Sequence, residues 1–317
     1  MKVLAYFPFS EERLSQLSTL AARCGDHVVV TARTEEEAVA MAPGCEALLG
    51  YFTPAVCAAA PQLKWIQSFS AGMDKFLFPE IVERDVVITN MAGKYASQGG
   101  EHAWALLLGL SRGIATAARR QERRQWRGAA ATELAGGTLG IIGLGGFGRE
   151  TARRAQGYSM TVLALDPACG EPPAEVEAVR APTRQNLLDL LRQADAVVVA
   201  CPLTAQTHHL IGREELAAMK PTAYLVSVSR GGIIDEAALA AALAAGQIAG
   251  AGLDVCEVEP LPADSPLWEC ANLILTPHQA GASQHRERVT FEFFAANLER
   301  YLRGQPLLNV IDKQRGY

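Results

Sequence analysis

Short apolar runs alternate with amphipathic stretches along most of the chain. Within residues 1–100, VLAYF, HVVVTA, ALLGYF, LKWIQSF and VVITN are brief apolar runs bounded by polar or turn residues. That is the pattern of strands in a parallel sheet buried on both faces. Between them, EERLSQLSTLAARC and TEEEAVAMA carry apolar residues at helical spacing. The second opens with acidic residues, which suit the free N–H groups of a helix N-terminus. Residues 101–127 predict one long helix, apolar first and then basic, followed by the loop GAAATELAGG. A second series of strands then begins with TLGIIGLG, TVLALD, AVVVACPL, AYLVSVS, GAGLDV and LILTP, with helical segments between them. Ser283 to Leu302 is again amphipathic, and the tail PLLNVIDKQRGY is expected to return to the first series.

Alternating strands and helices predict an α/β chain of two doubly wound parallel-sheet, Rossmann-like domains. The expected division is residues 1–100 plus 284–317 for a discontinuous first domain and 101–283 for the second. Two long helices would cross between the halves. A chain of 317 residues has room for two cores. No internal repeat of solenoid length is present.

Net charge of −5 and a pI of about 5.8 argue against a nucleic-acid partner, which needs a basic surface. One local exception is Arg119, Arg120, Arg123, Arg124 and Arg127, clustered within nine residues. Their spacing suits one helix face, read as solvated or as a subunit contact. Seven cysteines without a CxxC pair indicate free thiols in a reducing compartment. Cys201 and Cys256 fall in apolar segments read as core strands. The six histidines show no metal-ligand spacing, so no metal is expected. MKVLAYFPFS reads as a first strand, not a signal peptide. No apolar run reaches the roughly 18 residues that span a bilayer, so a cytoplasmic protein without a membrane partner is expected.

Gly143, Gly145 and Gly148 form GxGxxG after an apolar strand and before a helical stretch. In that setting glycines permit a tight turn and let backbone approach a dinucleotide pyrophosphate, while the helix N-terminus offers free N–H groups. The next strand ends in Asp166, 18 residues beyond Gly148. Asp166 suits the adenosine ribose hydroxyls and would repel a 2′-phosphate, which points to NAD (NADH). Followed by Pro167, it also reads as a plain turn residue. Farther on, VSRGGIIDEAAL, AGLDVCEVEPLP and LTPHQAGAS set Arg230, Glu259 and His278 at the ends of apolar segments. The carboxyl ends of strands are where open α/β sheets bind ligands. Arg230 offers a planar fork of donors suited to a carboxylate.

Those three segments, with GLGGFG, Asp166 and TNMAGKYASQGGEHAWALLLGLSR, resemble in order and spacing the D-isomer-specific 2-hydroxyacid dehydrogenases. The resemblance covers nearly the whole chain. It implies an NAD-dependent oxidoreductase that moves a hydride between nicotinamide and a small 2-ketoacid or D-2-hydroxyacid, with the site in the cleft between the domains. His278 would be the acid–base group, Glu259 its partner, and Arg230 the carboxylate and carbonyl anchor. Ala71 and Gly72, in SAGMD, would bind the substrate carboxylate together with Arg230 and His278. The implied cofactor contacts come from Gly143, Gly145, Phe147, Gly148, Asp166, Cys201, Pro202, Val228, Ser229, Arg230, Asp254, His278 and Gly281. Asp254 is also expected to influence proton balance. A homodimer joined through the cofactor domains is implied.

Gly100, Gln279, Lys94 and Tyr95 depart from the pattern or fall where substrate is faced in relatives. They leave glyoxylate, hydroxypyruvate and 3-phosphoglycerate-type substrates all open. Glu259 stands where the formate-oxidising branch has glutamine, which disfavours that reaction. The extra C-terminal regulatory domain of some relatives is not expected here. A rival reading of different class is an NAD(H)-sensing corepressor-like protein of the same fold. Such proteins carry docking tails, and none is expected here.

Overall fold

The computed structural model describes every residue except Cys169 and Tyr317. The chain divides into two compact units, Met1–Tyr95 with Ser283–Tyr317, and Ala96–Ala282.

The first unit runs β1 (Lys2–Tyr6), α1 (Glu11–Cys24), β2 (Val28–Thr31), α2 (Glu35–Met41), β3 (Cys45–Gly50), α3 (Pro54–Ala59), β4 (Trp65–Ser68), α4 (Pro79–Glu83) and β5 (Val87–Thr89). Its sheet has the order β2-β1-β3-β4-β5, every pair parallel. Helix starts are capped as their residues dictate: the Ser10 and Thr34 side chains accept from the N–H groups of Arg13 and Glu37. The chain returns to this unit through a long C-terminal helix, and the tail bridges Val310 to Thr89 in antiparallel sense and buries Ile311.

The second unit begins with α5 (Ala96–Ser111) and α6 (Ile114–Glu122). There follow β6 (Thr138–Ile142), α7 (Gly146–Ala155), β7 (Thr161–Leu165), β8 (Ala178–Arg180), α8 (Arg184–Gln193), β9 (Ala196–Val199), α9 (Arg213–Ala218), β10 (Tyr224–Ser227), α10 (Glu236–Ala244), β11 (Gly250–Leu253) and β12 (Leu273–Leu275). The helix of the returning C-terminal segment is α11 (Arg286–Leu302). The seven-stranded sheet is wholly parallel, in the order β12-β11-β10-β9-β6-β7-β8. Alternation puts Val197, Val199 and Leu225 into one core with Leu190 and Leu239, and Ala196, Val198 and Val226 into the other with Ala103 and Ala152. Helices therefore cover both faces, which explains strands that are apolar throughout.

Three expectations are corrected. The predicted long helix over 101–127 is two helices, because Gly113 adopts φ +67° and breaks the ladder between Ser111 and Ile114. Residues beyond Glu122 leave the helix, so the arginines do not share one face. Arg119 donates to the carbonyls of Ala271 and Leu273, and Arg120 to those of Arg127 and Gly128, while Arg123, Arg124 and Arg127 are exposed. Cys201 and Cys256, expected in core strands, lie in loops just beyond β9 and β11. Burial pushes the Cys201 thiol up to about 12, so it stays protonated at neutral pH.

The glycine pair near the start of α5 has a packing role. A Cβ at Gly99 would stand 2.4 Å from the Phe147 ring, and one at Gly100 would stand 2.7 Å from Glu150 Cβ and 2.9 Å from its backbone. Gly100→Ala is therefore expected to push α5 from α7 and cost about 1–3 kcal/mol by overpacking. A thermal melt showing an unchanged Tm would contradict this.

Candidate active site

β10, β11 and β12 are neighbours, and their ends are level: Ser227 pairs with Leu253, and Leu253 with Leu275. Arg230 and His278 each lie three residues beyond those aligned ends, and Asp254 follows Leu253 directly. The three expected polar groups thus leave one edge of one sheet. The loops bearing Arg230 and Glu259 cross closely, because a Cβ at Gly231 would fall 1.9 Å from the Cys256 carbonyl oxygen.

His278 and Glu259 meet. His278 Nδ1 lies 2.8 Å from Glu259 Oε2, and the other carboxylate oxygen accepts the Cys256 N–H at 3.1 Å. A carboxylate acceptor places the proton on Nδ1, which leaves Nε2 as the ring nitrogen for proton exchange. The imidazole is 45% exposed, so solvent or a ligand reaches it. His278 has φ +50°, a left-handed conformation that costs a non-glycine residue about 1–3 kcal/mol. Its N–H is held by the carbonyls of Asp254 (2.7 Å) and Thr276 (3.0 Å). Arg230 Nη1 donates to the Ser229 carbonyl at 2.8 Å.

Asp254 is buried, and its carboxylate is occupied by the loop that carries His278. Oδ1 accepts from Thr276 Oγ1 at 2.6 Å and Gln279 N at 2.9 Å, and Oδ2 accepts from Ala280 N at 2.8 Å. His102 Nε2 stands 3.2 Å from Oδ1 and 2.8 Å from Thr276 Oγ1. Burial pushes the Asp254 carboxyl up, and the hydrogen bonds from His102, Thr276, Gln279 and Ala280 outweigh it, leaving it below the usual carboxylate range. Asp254 therefore stays charged at neutral pH and fastens the loop. His102 and Thr276 carry no separate signal in the sequence beyond standing in EHAWAL and LTPH. Glu257 and Glu236 likewise carry no separate signal in the sequence: the Glu257 N–H donates to Glu236 Oε1 at 2.6 Å, the Glu236 N–H to Glu257 Oε1 at 3.2 Å, and His209 Nε2 lies 3.1 Å from that same Glu257 oxygen. They tie the Glu259 loop to the start of α10.

The glycine loop fits a dinucleotide. Gly143 turns with φ +93°, and a Cβ there would stand 2.5 Å from Cys201 N; a Cβ at Gly148 would stand 2.1 Å from the Gly143 carbonyl oxygen. Gly145 caps α7, and a Cβ there meets nothing within 4 Å. Two glycines thus allow the turn and the close strand–helix contact, while the middle one keeps the helix N-terminus open to an approaching anion. Phe147 lies in the first turn of α7. Asp166 stands beside this loop: Oδ2 accepts the Leu144 N–H at 2.7 Å and Oδ1 the Ala168 N–H at 2.8 Å. The Ala168 bond is that of a turn residue, and the Leu144 bond, which nothing in the sequence marks, ties the strand end to the glycine loop. Pro202 follows Cys201, Val228 is buried with Ser229 next to it, and Gly281 follows the anchored Ala280.

Ala71 and Gly72 belong to the first unit, in the loop after β4. Asn90 Nδ2 donates to the Ala71 carbonyl at 2.7 Å, and Met91 N to the Ser70 carbonyl at 2.9 Å. Tyr95 is buried, with its hydroxyl 2.9 Å from Thr290 Oγ1 and donating to the Phe69 carbonyl at 3.3 Å, so it supports this loop from behind. The Lys94 ammonium sits over the Phe293 ring.

Residues 104–280 match the model of the D-isomer specific 2-hydroxyacid dehydrogenase NAD binding domain. The chain is 36% identical over 280 residues to a glyoxylate reductase of Korarchaeum cryptofilum, covering 85% of this chain and 83% of that protein. It is 32% identical over 318 residues to a D-3-phosphoglycerate dehydrogenase of Methanocaldococcus jannaschii, covering 98% of this chain but only 59% of that protein. An NADPH-dependent glyoxylate/hydroxypyruvate reductase from Sinorhizobium meliloti, solved with NADP and sulfate, superposes with a TM-score of 0.83 at 25% identity, covering 100% of this chain and 99% of that one. The chain belongs to the D-isomer-specific 2-hydroxyacid dehydrogenase family, whose members use NAD or NADP. Among the described residues, no helix is long and apolar enough to cross a membrane.

Proposed function

We propose that this chain reduces a 2-ketoacid to the D-2-hydroxyacid with NADH, and that the carrying observation is the 2.8 Å pair of His278 and Glu259. The bound nicotinamide supplies the hydride. His278, polarised by Glu259, gives the proton to the carbonyl oxygen in reduction and takes it back in oxidation. Arg230, leaving the same sheet edge, orients carboxylate and carbonyl by paired donation. The N–H groups around Ala71 and Gly72 bind the substrate carboxylate. Gly143, Gly145 and Gly148 hold the pyrophosphate at the start of α7, and Asp166 accepts the ribose hydroxyls. Cys201, Pro202, Val228, Ser229 and Asp254 line the nicotinamide side, Asp254 also setting the His278 loop, and Gly281 is a further cofactor contact. The active form is a homodimer.

Cofactor choice follows from charge. A carboxylate at position 166 repels a 2′-phosphate, so NADH is expected to exceed NADPH in kcat/KM by about tenfold or more. Asp166→Ser is expected to narrow that ratio. Steady-state NADH and NADPH oxidation with a panel of 2-ketoacids tests both the activity and the preference. An NADPH preference in the parent would show that Asp166 does not serve the ribose, and silence across the panel would remove the reductase reading itself.

A further inference from the structure

In the first unit, β1, β3 and β4 lie side by side and end level: Tyr6 pairs with Gly50, and Gly50 with Ser68. The residue after each of these ends is aromatic, namely Phe7, Tyr51 and Phe69. Their rings touch, with centroids 5.3 Å apart for Phe7 and Tyr51, 4.6 Å for Tyr51 and Phe69, and 5.8 Å for Phe7 and Phe69. Phe76 adds a fourth ring, edge-on to Phe69 at 5.5 Å. All four are partly exposed, whereas Phe9 and Phe52 in the same segments are buried in the core. The arrangement is built into the backbone. Gly50 has φ +115°, and a Cβ there would fall 2.2 Å from the Tyr6 carbonyl oxygen and 2.7 Å from Phe7 Cβ. That close approach, with Tyr51 N donating to Tyr6 O at 2.8 Å, presses the Tyr51 ring against Phe7.

This aromatic floor is continuous with the loop assigned to the substrate carboxylate. Phe69 stands two residues before Ala71, and its carbonyl is held by Tyr95 while Asn90 holds that of Ala71. We propose that Phe7, Tyr51, Phe69 and Phe76 form the subsite for the substituent on C3, and that the substrate is a 2-ketoacid bearing an aromatic group. The proposal rests on the reductase reading above. The chemistry is unchanged: C2 gains a hydride from NADH and its oxygen gains a proton, giving the aryl-substituted 2-hydroxyacid and NAD+. Rings accept another ring in tilted or edge-on contact at about 4.5–7 Å, the geometry these four already use among themselves. The negative faces of aromatic rings disfavour a phosphate or carboxylate, which calls for guanidinium or ammonium groups instead. A clustered apolar patch at the ligand-binding edge of a parallel sheet is accounted for by such an occupant.

The test compares kcat/KM with NADH for phenylpyruvate, glyoxylate and hydroxypyruvate. Phenylpyruvate is expected to exceed glyoxylate by about tenfold or more. In Tyr51→Ala and Phe69→Ala the phenylpyruvate-to-glyoxylate ratio is expected to fall by about tenfold, with Tyr51→Phe restoring it. Reduction of glyoxylate or hydroxypyruvate in preference to phenylpyruvate would overturn the aromatic subsite and leave the reductase reading standing. Turnover of none of the three, nor of other 2-ketoacids, would overturn both. An unmoved ratio in folded Tyr51→Ala and Phe69→Ala would overturn the assignment of the rings. Should those variants fail to fold, inhibition of the parent decides: 3-phenylpropanoate is expected to compete at about tenfold lower concentration than propanoate, and equal inhibition would contradict the proposal.

Discussion

Arg230→Lys is expected to lose about 2–4 kcal/mol of transition-state stabilisation, roughly a 30- to 1000-fold fall in kcat/KM for ketoacid reduction. The size follows from geometry. A guanidinium presents two parallel N–H donors to a carboxylate and its neighbouring carbonyl, whereas an ammonium is a point charge that serves one acceptor well. Charge is conserved in the substitution, so long-range attraction of the acid survives while alignment of the carbonyl is lost. Both kcat and KM should suffer. Near-parental kcat/KM in a folded Arg230→Lys variant would remove Arg230 from the substrate.

The second large effect concerns Glu259. Its carboxylate lies 2.8 Å from His278 Nδ1 and fixes the orientation of the imidazole. Glu259→Gln keeps the shape and replaces the carboxylate acceptor by an amide that can turn its NH2 toward the ring. Loss of the partner should lower kcat by about 100-fold or more, the scale of general acid–base assistance. Steady-state kcat for ketoacid reduction in Glu259→Gln and His278→Ala checks this. Parental kcat in a folded Glu259→Gln variant, with His278→Ala inactive, would keep His278 as the acid–base group and exclude Glu259 as its partner.

Much of this architecture was legible in the chain. Strands of a parallel sheet covered on both faces must be apolar throughout, so AVVV and YLVS announce themselves. Gly143 and Gly148 were readable because the turn and the strand–helix contact each demand a missing Cβ, and Gly145 between them completes the pattern at the open helix N-terminus. The break at Gly113 was not readable, since apolar spacing continues on both sides and only the local φ interrupts the helix. β8, the three residues Ala178–Arg180 at a sheet edge, is too short to leave a period. The bonds joining His102, Asp254 and Thr276 link residues far apart in sequence, and nothing local marks them. The same holds for Phe7, Tyr51 and Phe69. Each stands at or next to the end of a recognisable apolar run, but only the register of Tyr6, Gly50 and Ser68 brings the rings together.

The most direct measurement of the central claim follows a label. Parent enzyme is incubated with NADH carrying deuterium at nicotinamide C4 on the transferred face and with a 2-ketoacid that it turns over, and the product is resolved by configuration and mass. The expected result is a D-2-hydroxyacid with one deuterium at C2, and no labelled product from a folded His278→Ala variant. Unlabelled product, the L-isomer, or undiminished transfer in His278→Ala would contradict hydride reduction with His278 as the proton donor.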